Sequence, residues 1–216
     1  MISRTLKNGF EYLLIKEKSD LCCIEFILNI GSKNDPPSMN GMAHLVEHLI
    51  LNKTITKQLD TIGVEWNGYT TRDETSYTLI CNKQNLKKVL RYVHLMMFKT
   101  KFDKTNLENE KKIINEEINF RNQNKLRKLS DIVYKHMFDS TYQNVIKGYK
   151  HTLNNIKVKD ILKFYKEYYT PANIKLVCIG DINLKEIPFI LKMNGKIESK
   201  PIPKNIELKY KTMGKV

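Results

Sequence analysis

Two histidines and a glutamate stand at a spacing that could hold a metal ion. They occur in residues 41–50, GMAHLVEHLI, whose centre has the pattern H-x-x-E-H. On a helix, residues four apart share a face, so His44 and His48 would project side by side. Two imidazoles at this spacing can bind one Zn²⁺, and the carboxylate of Glu47 can then handle the proton of a water molecule. The alternative is a pair of helix histidines that have ordinary hydrogen-bond partners and bind no metal.

A catalytic zinc usually has three protein ligands and one open position, so a third ligand is expected. Glu110 and Glu117 lie seven residues apart in a charged helical segment, and two turns of helix place them on one face. Ile113 and Ile114 predict an adjacent stripe that faces the core, so Glu117 can point inward. Glu116 is rotated by about 100° and is expected to be solvated. Spacing alone leaves two interpretations of Glu117, a third ligand or an ordinary surface glutamate.

Composition limits the class of protein. The chain has 216 residues, of which 41% are hydrophobic, enough for one domain with a sizeable core. The sequence contains no run of about 18 apolar residues, so no membrane-spanning helix is predicted, and residues 1–18 do not resemble a secretory signal. The four cysteines form no C-x-x-C pair and lie in strand-like apolar runs. They predict buried free thiols rather than disulfides or metal ligands, and therefore a cytoplasmic location.

The positive charge is concentrated in the second half of the chain. The net charge is +14; residues 1–118 carry 17 basic and 15 acidic side chains, and residues 119–216 carry 20 and 8. Such asymmetry can indicate a nucleic acid, an acidic membrane or an acidic protein partner, but also a lysine-rich solvated surface. No recognised nucleic-acid-binding motif and no basic patch interleaved with aromatic residues occurs, so we expect neither nucleic acid nor membrane as a partner.

Hydrophobic periodicity and turn residues predict alternating strands and helices. The predicted strands are a hairpin over 2–16 that turns at Asn8-Gly9, then 21–30, 64–70, 75–81 and 174–179. The predicted helices are the histidine helix, capped by Ser38 or Asn40, then 56–62, 85–99, 103–120, 126–138 and 157–168, with a loop over 139–156. This order predicts an α+β fold in which helices flank a largely antiparallel sheet.

Two of the predicted helices have a clear apolar side. In 126–138 it consists of Ile132, Val133 and Met137, and in 157–168 of Ile161, Leu162, Phe164 and Tyr165. We expect the apolar side of 157–168 to face inward. The chain is predicted to form one domain over residues 1–198, followed by a polar tail or linker over 199–216.

Several segments are similar to one peptidase family. The chain resembles the N-terminal half of the pitrilysin, insulin-degrading enzyme and mitochondrial processing peptidase family, the inverted zincins. The resemblance extends over most of residues 1–185. The similar segments are 31–34 (GSKN), 41–48, 67–71 (NGYTT), 75–77 (TSY), 110–117, 164–173 (FYKEYYTPAN) and 179–181 (IGD).

The resemblance implies roles for the candidate residues. His44, His48 and Glu117 are expected to bind one Zn²⁺ per chain, and Glu47 to be the general base that activates water. Glu110 is expected to belong to the catalytic machinery as an outer partner of the ligands. The implied activity is that of a zinc-dependent endopeptidase.

The resemblance also implies where a peptide substrate would bind. Asn67, Gly68, Tyr69 and Thr70 are expected to lie along the cleft, where the peptide is added to the sheet as an extra strand. His48 and Glu117 are separated by 68 residues, somewhat fewer than is usual in the family. We expect the shortfall to lie in the loops between residues 51 and 84, where it could reshape the cleft.

Family members normally join two related domains, and the second domain supplies an arginine and a tyrosine to the active site. The resemblance covers only the first of these. We therefore expect a half-size subunit that is completed by a second chain resembling the C-terminal half, as a heterodimer, or by a homodimer. A non-catalytic scaffold subunit is the main alternative, and the intact H-x-x-E-H with Glu117 argues against it. A basic nucleic-acid-binding domain is the other alternative.

Overall fold

The structure is a computed structural model that describes residues 1–138 and 140–183. The strands are β1 (Ile2–Thr5), β2 (Glu11–Lys16), β3 (Leu21–Leu28), β4 (Glu65–Thr70), β5 (Thr75–Asn82) and β6 (Ile174–Gly180). The α-helices are α1 (Met42–Ile50), α2 (Lys53–Thr61), α3 (Leu86–Phe98), α4 (Lys104–Gln123), α5 (Lys125–Met137), α6 (Lys150–Asn155) and α7 (Val158–Tyr168).

The strands form one mixed sheet in the order β1-β2-β6-β3-β5-β4. Only the β2–β6 pair is parallel among the described strands, and the other pairs are antiparallel. The central strand β3 alternates between buried and partly exposed residues, as a strand with one covered face should. Phe26, which is fully buried, lies opposite Tyr77 of β5 and Leu176 of β6. The α+β fold with a largely antiparallel sheet is therefore confirmed.

The four cysteines are free thiols, as predicted. Cys22, Cys81 and Cys178 are buried, and Cys23 is partly buried. Cys22 and Cys81 lie directly opposite each other in the β3–β5 ladder but are not bonded. Burial raises the pKa of the Cys81 thiol to about 12, so this thiol stays protonated and packs as a small apolar side chain.

The start of α1 differs from the prediction of a Ser38 or Asn40 cap. The helix follows Gly41, whose backbone has a φ of +95°. The buried carboxylate of Asp35 accepts hydrogen bonds from the backbone N–H of Gly41 at 2.7 Å and of Ala43 at 2.9 Å. Asp35 lies before the two prolines at positions 36 and 37. A capping residue is normally sought directly before the helix, so the sequence pattern did not identify Asp35.

Three other predictions about helices were wrong. Residues 139–156, predicted as a loop, contain α6. Leu162 and Ile113, predicted to face the core, are 38% and 39% exposed, although Phe164 and Ile114 beside them are buried. In both cases the buried stripe is narrower than the apolar pattern of the sequence.

Helix α5 forms where it was predicted, but none of its side chains is buried. Its main contacts are with α4 and with residues 141–143. Its apolar side chains are between 42% and 78% exposed; they are Ile132, Val133 and Met137, which form the predicted apolar stripe, together with Leu126 and Leu129. Periodicity identified the amphipathic helix correctly, but it carries no information on whether another element covers the apolar side.

The predicted division of the chain remains a prediction. Residues 199–216, expected to be a tail or linker, lie outside the described residues, as does the boundary at residue 198. Within residues 1–138 and 140–183, the helices are all too short or too polar to cross a bilayer.

We expect Asp35→Ala to lower the free energy of unfolding by about 2 kcal/mol or more, because two buried N–H donors lose their acceptor. Asp103→Ala is the matched control, since Asp103 caps the exposed start of α4 through the N–H of Asn106. Loss of that cap should cost about 1 kcal/mol. Urea unfolding measures both values, and equal losses would contradict a special role of Asp35.

Candidate metal centre

Helix α1 carries His44, Glu47 and His48 into the interior. Every residue of this nine-residue helix except His48 is buried, and His48 is half-buried. The two imidazole rings lie on one side of the helix with their centroids 4.7 Å apart. The apolar residues of the helix, such as Leu45 and Val46, belong to the main hydrophobic core, which fixes the direction in which the rings project.

Helix α4 brings Glu117 to both rings. Its Oε2 lies 3.7 Å from Nε2 of His44, and its Oε1 lies 3.6 Å from Nε2 of His48. Ligand atoms of a tetrahedral zinc site are about 3.4 Å apart when the bonds are near 2.1 Å. These donors lie within 4.8 Å of one another, and the residues therefore fit Zn²⁺. Glu116 is exposed, as its rotation around the helix predicted.

Glu110 contacts His48 but does not lie at the point where the three candidate donors converge. Its Oε2 lies 3.2 Å from Nδ1 of His48, within hydrogen-bond distance. A proton on Nδ1 leaves Nε2 free to act as a ligand, so Glu110 both selects the tautomer and orients the ring. Nδ1 of His44, by contrast, is buried and has no hydrogen-bond partner among the described residues.

The side chain of Glu47 points to β4, the strand at the edge of the sheet. Its Oε2 accepts a hydrogen bond from the hydroxyl of Thr70 at 2.6 Å. Gly68, two residues earlier on β4, lies so close to α1 that a Cβ there would approach Oε1 of Glu47 to 2.9 Å and Leu51 to 2.5 Å. With any other residue at position 68, the ends of the Leu51 and Glu47 side chains would have to move away from β4.

The buried site shifts the pKa values of its ionisable groups. Burial lowers the pKa of His44 to about 2, so this imidazole is neutral and available as a ligand. Burial raises the pKa of Glu47, and the Thr70 hydrogen bond opposes this effect only in part. Burial lowers the pKa of His48, but the hydrogen bond to Glu110 and the negative charges of Glu47 and Glu117 outweigh this effect, so the pKa is raised overall.

The segment predicted to bind substrate forms most of the edge strand β4. In the described residues β4 pairs only with β5, so its outer edge keeps free backbone groups. Gly68 and Thr70 face α1, whereas Asn67 and Tyr69 alternate to the other side, where Tyr69 donates a hydrogen bond to Glu74. The structure thus places an open strand edge beside Glu47, as substrate addition requires.

Sequence reasoning missed Lys147. Its ammonium group donates a hydrogen bond to Oε2 of Glu117. The position of the lysine depends on Gly148, which has a φ of +71° and lies so close to residues 40 and 41 that a Cβ would be 2.0 Å from the carbonyl oxygen of Asn40. The only signal in the sequence was this glycine, inside a segment interpreted as a loop.

A cavity of about 510 Å³ opens beside these groups. His44, Glu47, His48 and Glu117 line its inner side, together with Gly68, Tyr69 and Thr70 of β4. Basic side chains line much of the rest, and these are Arg72, Arg121, Arg127 and Lys147. A smaller cavity of about 250 Å³ adjoins the other end of β4, at Trp66, Asn67 and Glu110.

The family model for insulinase (peptidase family M16) matches residues 12–150, which include every candidate ligand. The chain belongs to this family. A second model of the M16 family, the peptidase M16 inactive domain, matches residues 155–215, and most of that match lies outside the described residues. The family resemblance inferred from the sequence is thereby confirmed.

Several of the similar proteins are named as zinc proteases, although the cytochrome b-c1 complex subunit 1 of Caenorhabditis elegans is also similar, at 23% identity over 184 residues. The chain is 27% identical over 214 residues to the uncharacterized zinc protease YmxG of Bacillus subtilis, covering 93% of this chain and 51% of that protein. It is 28% identical over 218 residues to the probable zinc protease PqqL of Haemophilus influenzae, covering 92% of this chain but 23% of that protein. The chain thus spans about half of the length of YmxG and about a quarter of the length of PqqL.

The fold is also that of solved M16 structures. A protease from Helicobacter pylori superposes with a TM-score of 0.84 at 24% identity, covering 94% of this chain and 52% of the other. At this identity the likeness establishes the fold, and the chemistry depends on the residues described above.

We expect Glu110→Gln to weaken zinc binding about 10-fold to 100-fold, because the carboxylate no longer orients the ring of His48. Glu108→Gln is the control, since Glu108 lies on the same helix but pairs with Lys111. Competition with a fluorescent zinc chelator measures both affinities. An unchanged affinity for Glu110→Gln would show that the contact with His48 has no influence on the metal.

Proposed function

We propose that this chain is the catalytic part of a zinc-dependent endopeptidase. The observation that carries the proposal is the convergence of His44 Nε2, His48 Nε2 and the Glu117 carboxylate beside an open strand edge. The named zinc proteases among the relatives support it. A non-catalytic scaffold subunit would not need all three candidate zinc ligands together with Glu47 beside them.

The roles of the residues follow from their surroundings. When bound, Zn²⁺ would polarise the peptide carbonyl and lower the pKa of a water molecule. Glu47 would take the proton from the attacking water and return it to the leaving amine. Burial, which raises the pKa of Glu47, brings that carboxyl closer to the value that a general base needs near neutral pH. Thr70 would hold the carboxyl in place, and β4 would hold the substrate backbone.

We also propose that the active enzyme contains a second M16 half. The chain covers 51% of YmxG and 52% of the Helicobacter pylori protease, so a region of similar size accompanies the corresponding part in both. The second half would lie in the same polypeptide or in a partner chain, with a homodimer as the alternative. The exposed apolar side of α5 is the proposed contact, because such patches on soluble domains commonly mark interfaces.

A reducing compartment such as the cytoplasm is proposed on the four free thiols alone. The nucleic-acid alternative receives no support from the site, because the basic side chains of the cavity lie beside the metal ligands and next to carboxylates.

Glu47→Gln should retain one equivalent of zinc but reduce peptide cleavage by a factor of about 10² to 10⁴, as expected for the loss of a general base. His44→Ala should lose the metal and the activity together. Metal analysis and a fluorogenic peptide assay, with the second half present, distinguish the two variants. Normal cleavage by Glu47→Gln would mean that the general base is another group.

Leu129→Glu should weaken the association with the second half at least tenfold, because it places a charge in an apolar contact. Lys125→Glu changes the charge at the exposed start of the same helix and serves as the control. Light scattering of the chain, alone and mixed with the second half, gives the affinities. Association that is indifferent to Leu129→Glu, or self-association through α5, would refute the proposed contact.

A further inference from the structure

The two cavities along β4 meet at His48, one of the candidate metal ligands. We call the larger one the basic cavity and the smaller one the second cavity. They share Glu47, His48 and Gly68. A peptide added to the edge of β4 would therefore pass from one cavity into the other, with its reactive bond near the junction. The residues on the two sides of that bond would meet different surroundings.

The basic cavity holds more cationic than acidic side chains. Arg72, Arg121, Arg127 and Lys147 line it, against Glu47, Glu117 and Asp131. The second cavity has Leu51, Trp66 and Asn67 on its walls and no Lys or Arg. It also contains the carboxyl groups of Glu47 and Glu110, of which Glu110 faces His48. A bound zinc ion would add further positive charge at the junction.

Three of the four cations are already engaged within the protein. Arg121 forms an ion pair with Asp131, and Lys147 forms one with Glu117. Arg72 lies over the ring of Tyr134, with its guanidinium carbon 3.5 Å from the centroid. Its Nε also donates a hydrogen bond to the carbonyl oxygen of Tyr142 at 3.0 Å.

Arg127 differs from the other three. Its side chain is exposed and forms no ion pair, ring contact or hydrogen bond with the residues that the structure describes; only its backbone N–H is used, in the Asn124 cap. Ser130 and Asp131 follow it at helical spacings of three and four residues and line the same cavity. The guanidinium is thus available at the wall of the basic cavity.

The position of this charge does not serve the stability of α5. The first turn of the helix contains Lys125, Arg127 and Lys128 and no acidic residue. Cations are unfavourable at this end, where the helix dipole is positive. The basic first turn therefore does not stabilise α5, although α2, α3, α4 and α6 also begin without an acidic residue.

We propose that Arg127 is a specificity residue that binds an acidic side chain of the peptide substrate. The acidic residue would lie on one side of the cleaved bond, the side that occupies the basic cavity at the Thr70 end of β4. Arginine suits this role because its planar guanidinium can bind a carboxylate through two parallel hydrogen bonds. The inference rests on the proposed peptidase function and names a substrate class for it.

We expect a moderate preference for peptides with an acidic side chain at this position, and we expect salt to weaken it, because the guanidinium of Arg127 is exposed to solvent. The test uses pairs of fluorogenic peptides that differ only by Glu or Gln at one position, scanned along both sides of the cleaved bond. The Glu peptide should have about fivefold higher kcat/KM at one or two positions on one side only. The preference should disappear in about 0.5 M salt, where the Debye length is a few ångströms.

Arg127→Gln should remove the preference, and Arg127→Glu should reverse it in favour of a peptide with Lys at that position. Both variants should fold, because the replaced side chain has no partner among the described residues and Glu suits the helix start. Lys128→Gln is the control: it removes the same charge one residue away, from a side chain that lines a different cavity. This control should keep the wild-type preference.

Three results would overturn the inference. They are equal kcat/KM for the Glu and Gln peptides, a preference for Glu on both sides of the cleaved bond, and a preference for Glu that survives in Arg127→Glu. Fluorescence anisotropy with labelled peptides and the zinc-loaded Glu47→Gln chain separates this outcome from a failure of the peptidase proposal. If no peptide is cleaved but the Glu peptide binds more tightly through Arg127, the peptidase proposal fails and the assignment of Arg127 holds. Absence of any such difference in binding would overturn the assignment itself.

Discussion

Helix α1 is buried along almost its whole length, yet it carries two imidazoles and a carboxylate into the interior. Polar groups in such a place are costly unless each finds a partner. His48 has Glu110, Glu47 has Thr70, and Glu117 lies against both imidazoles. Helix α4 and strand β4 supply these partners to α1, and the candidate metal centre lies where the contacts from α1 and α4 meet.

The backbone at the start of α1 is held just as closely. Asp35 binds two N–H groups of the helix start, and Gly148 lies directly against Asn40 and Gly41. The same loop places Lys147 on Glu117. The position of the histidine helix and the charge around the candidate third ligand thus depend on one set of close backbone contacts.

The edge of the sheet gives the cleft its direction. Strand β4 lies at the end of the strand order, and a cavity adjoins each of its ends. Helix α5 lines the larger cavity with Arg127 and leaves its apolar side in solvent. One helix thus faces both the proposed substrate path and the proposed contact with the second half, so that joining the halves would place Arg127 near the wall of a shared chamber.

The sequence alone determined the elements and the core of the site. Period-2 and period-3.6 patterns, Asn8-Gly9 and the Asp103 cap are local features, so the strands and most helices could be predicted from them. The spacing of His44 and His48 placed two imidazoles on one side of a helix for the same reason. The family pattern then singled out Glu117, for which spacing had left a surface position equally open.

Only the tertiary structure decided which groups surround that core. Asp35, Thr70 and Lys147 reach the site across 6 to 30 residues of chain, and no local periodicity connects such distances. The same holds for the apolar side of α5, because a periodic pattern shows that a helix is amphipathic and not what covers it. Long-range packing determined these contacts. It also left Arg127 at the wall of the cavity without a side-chain partner among residues 1–138 and 140–183, whereas Arg121 and Lys147 are paired.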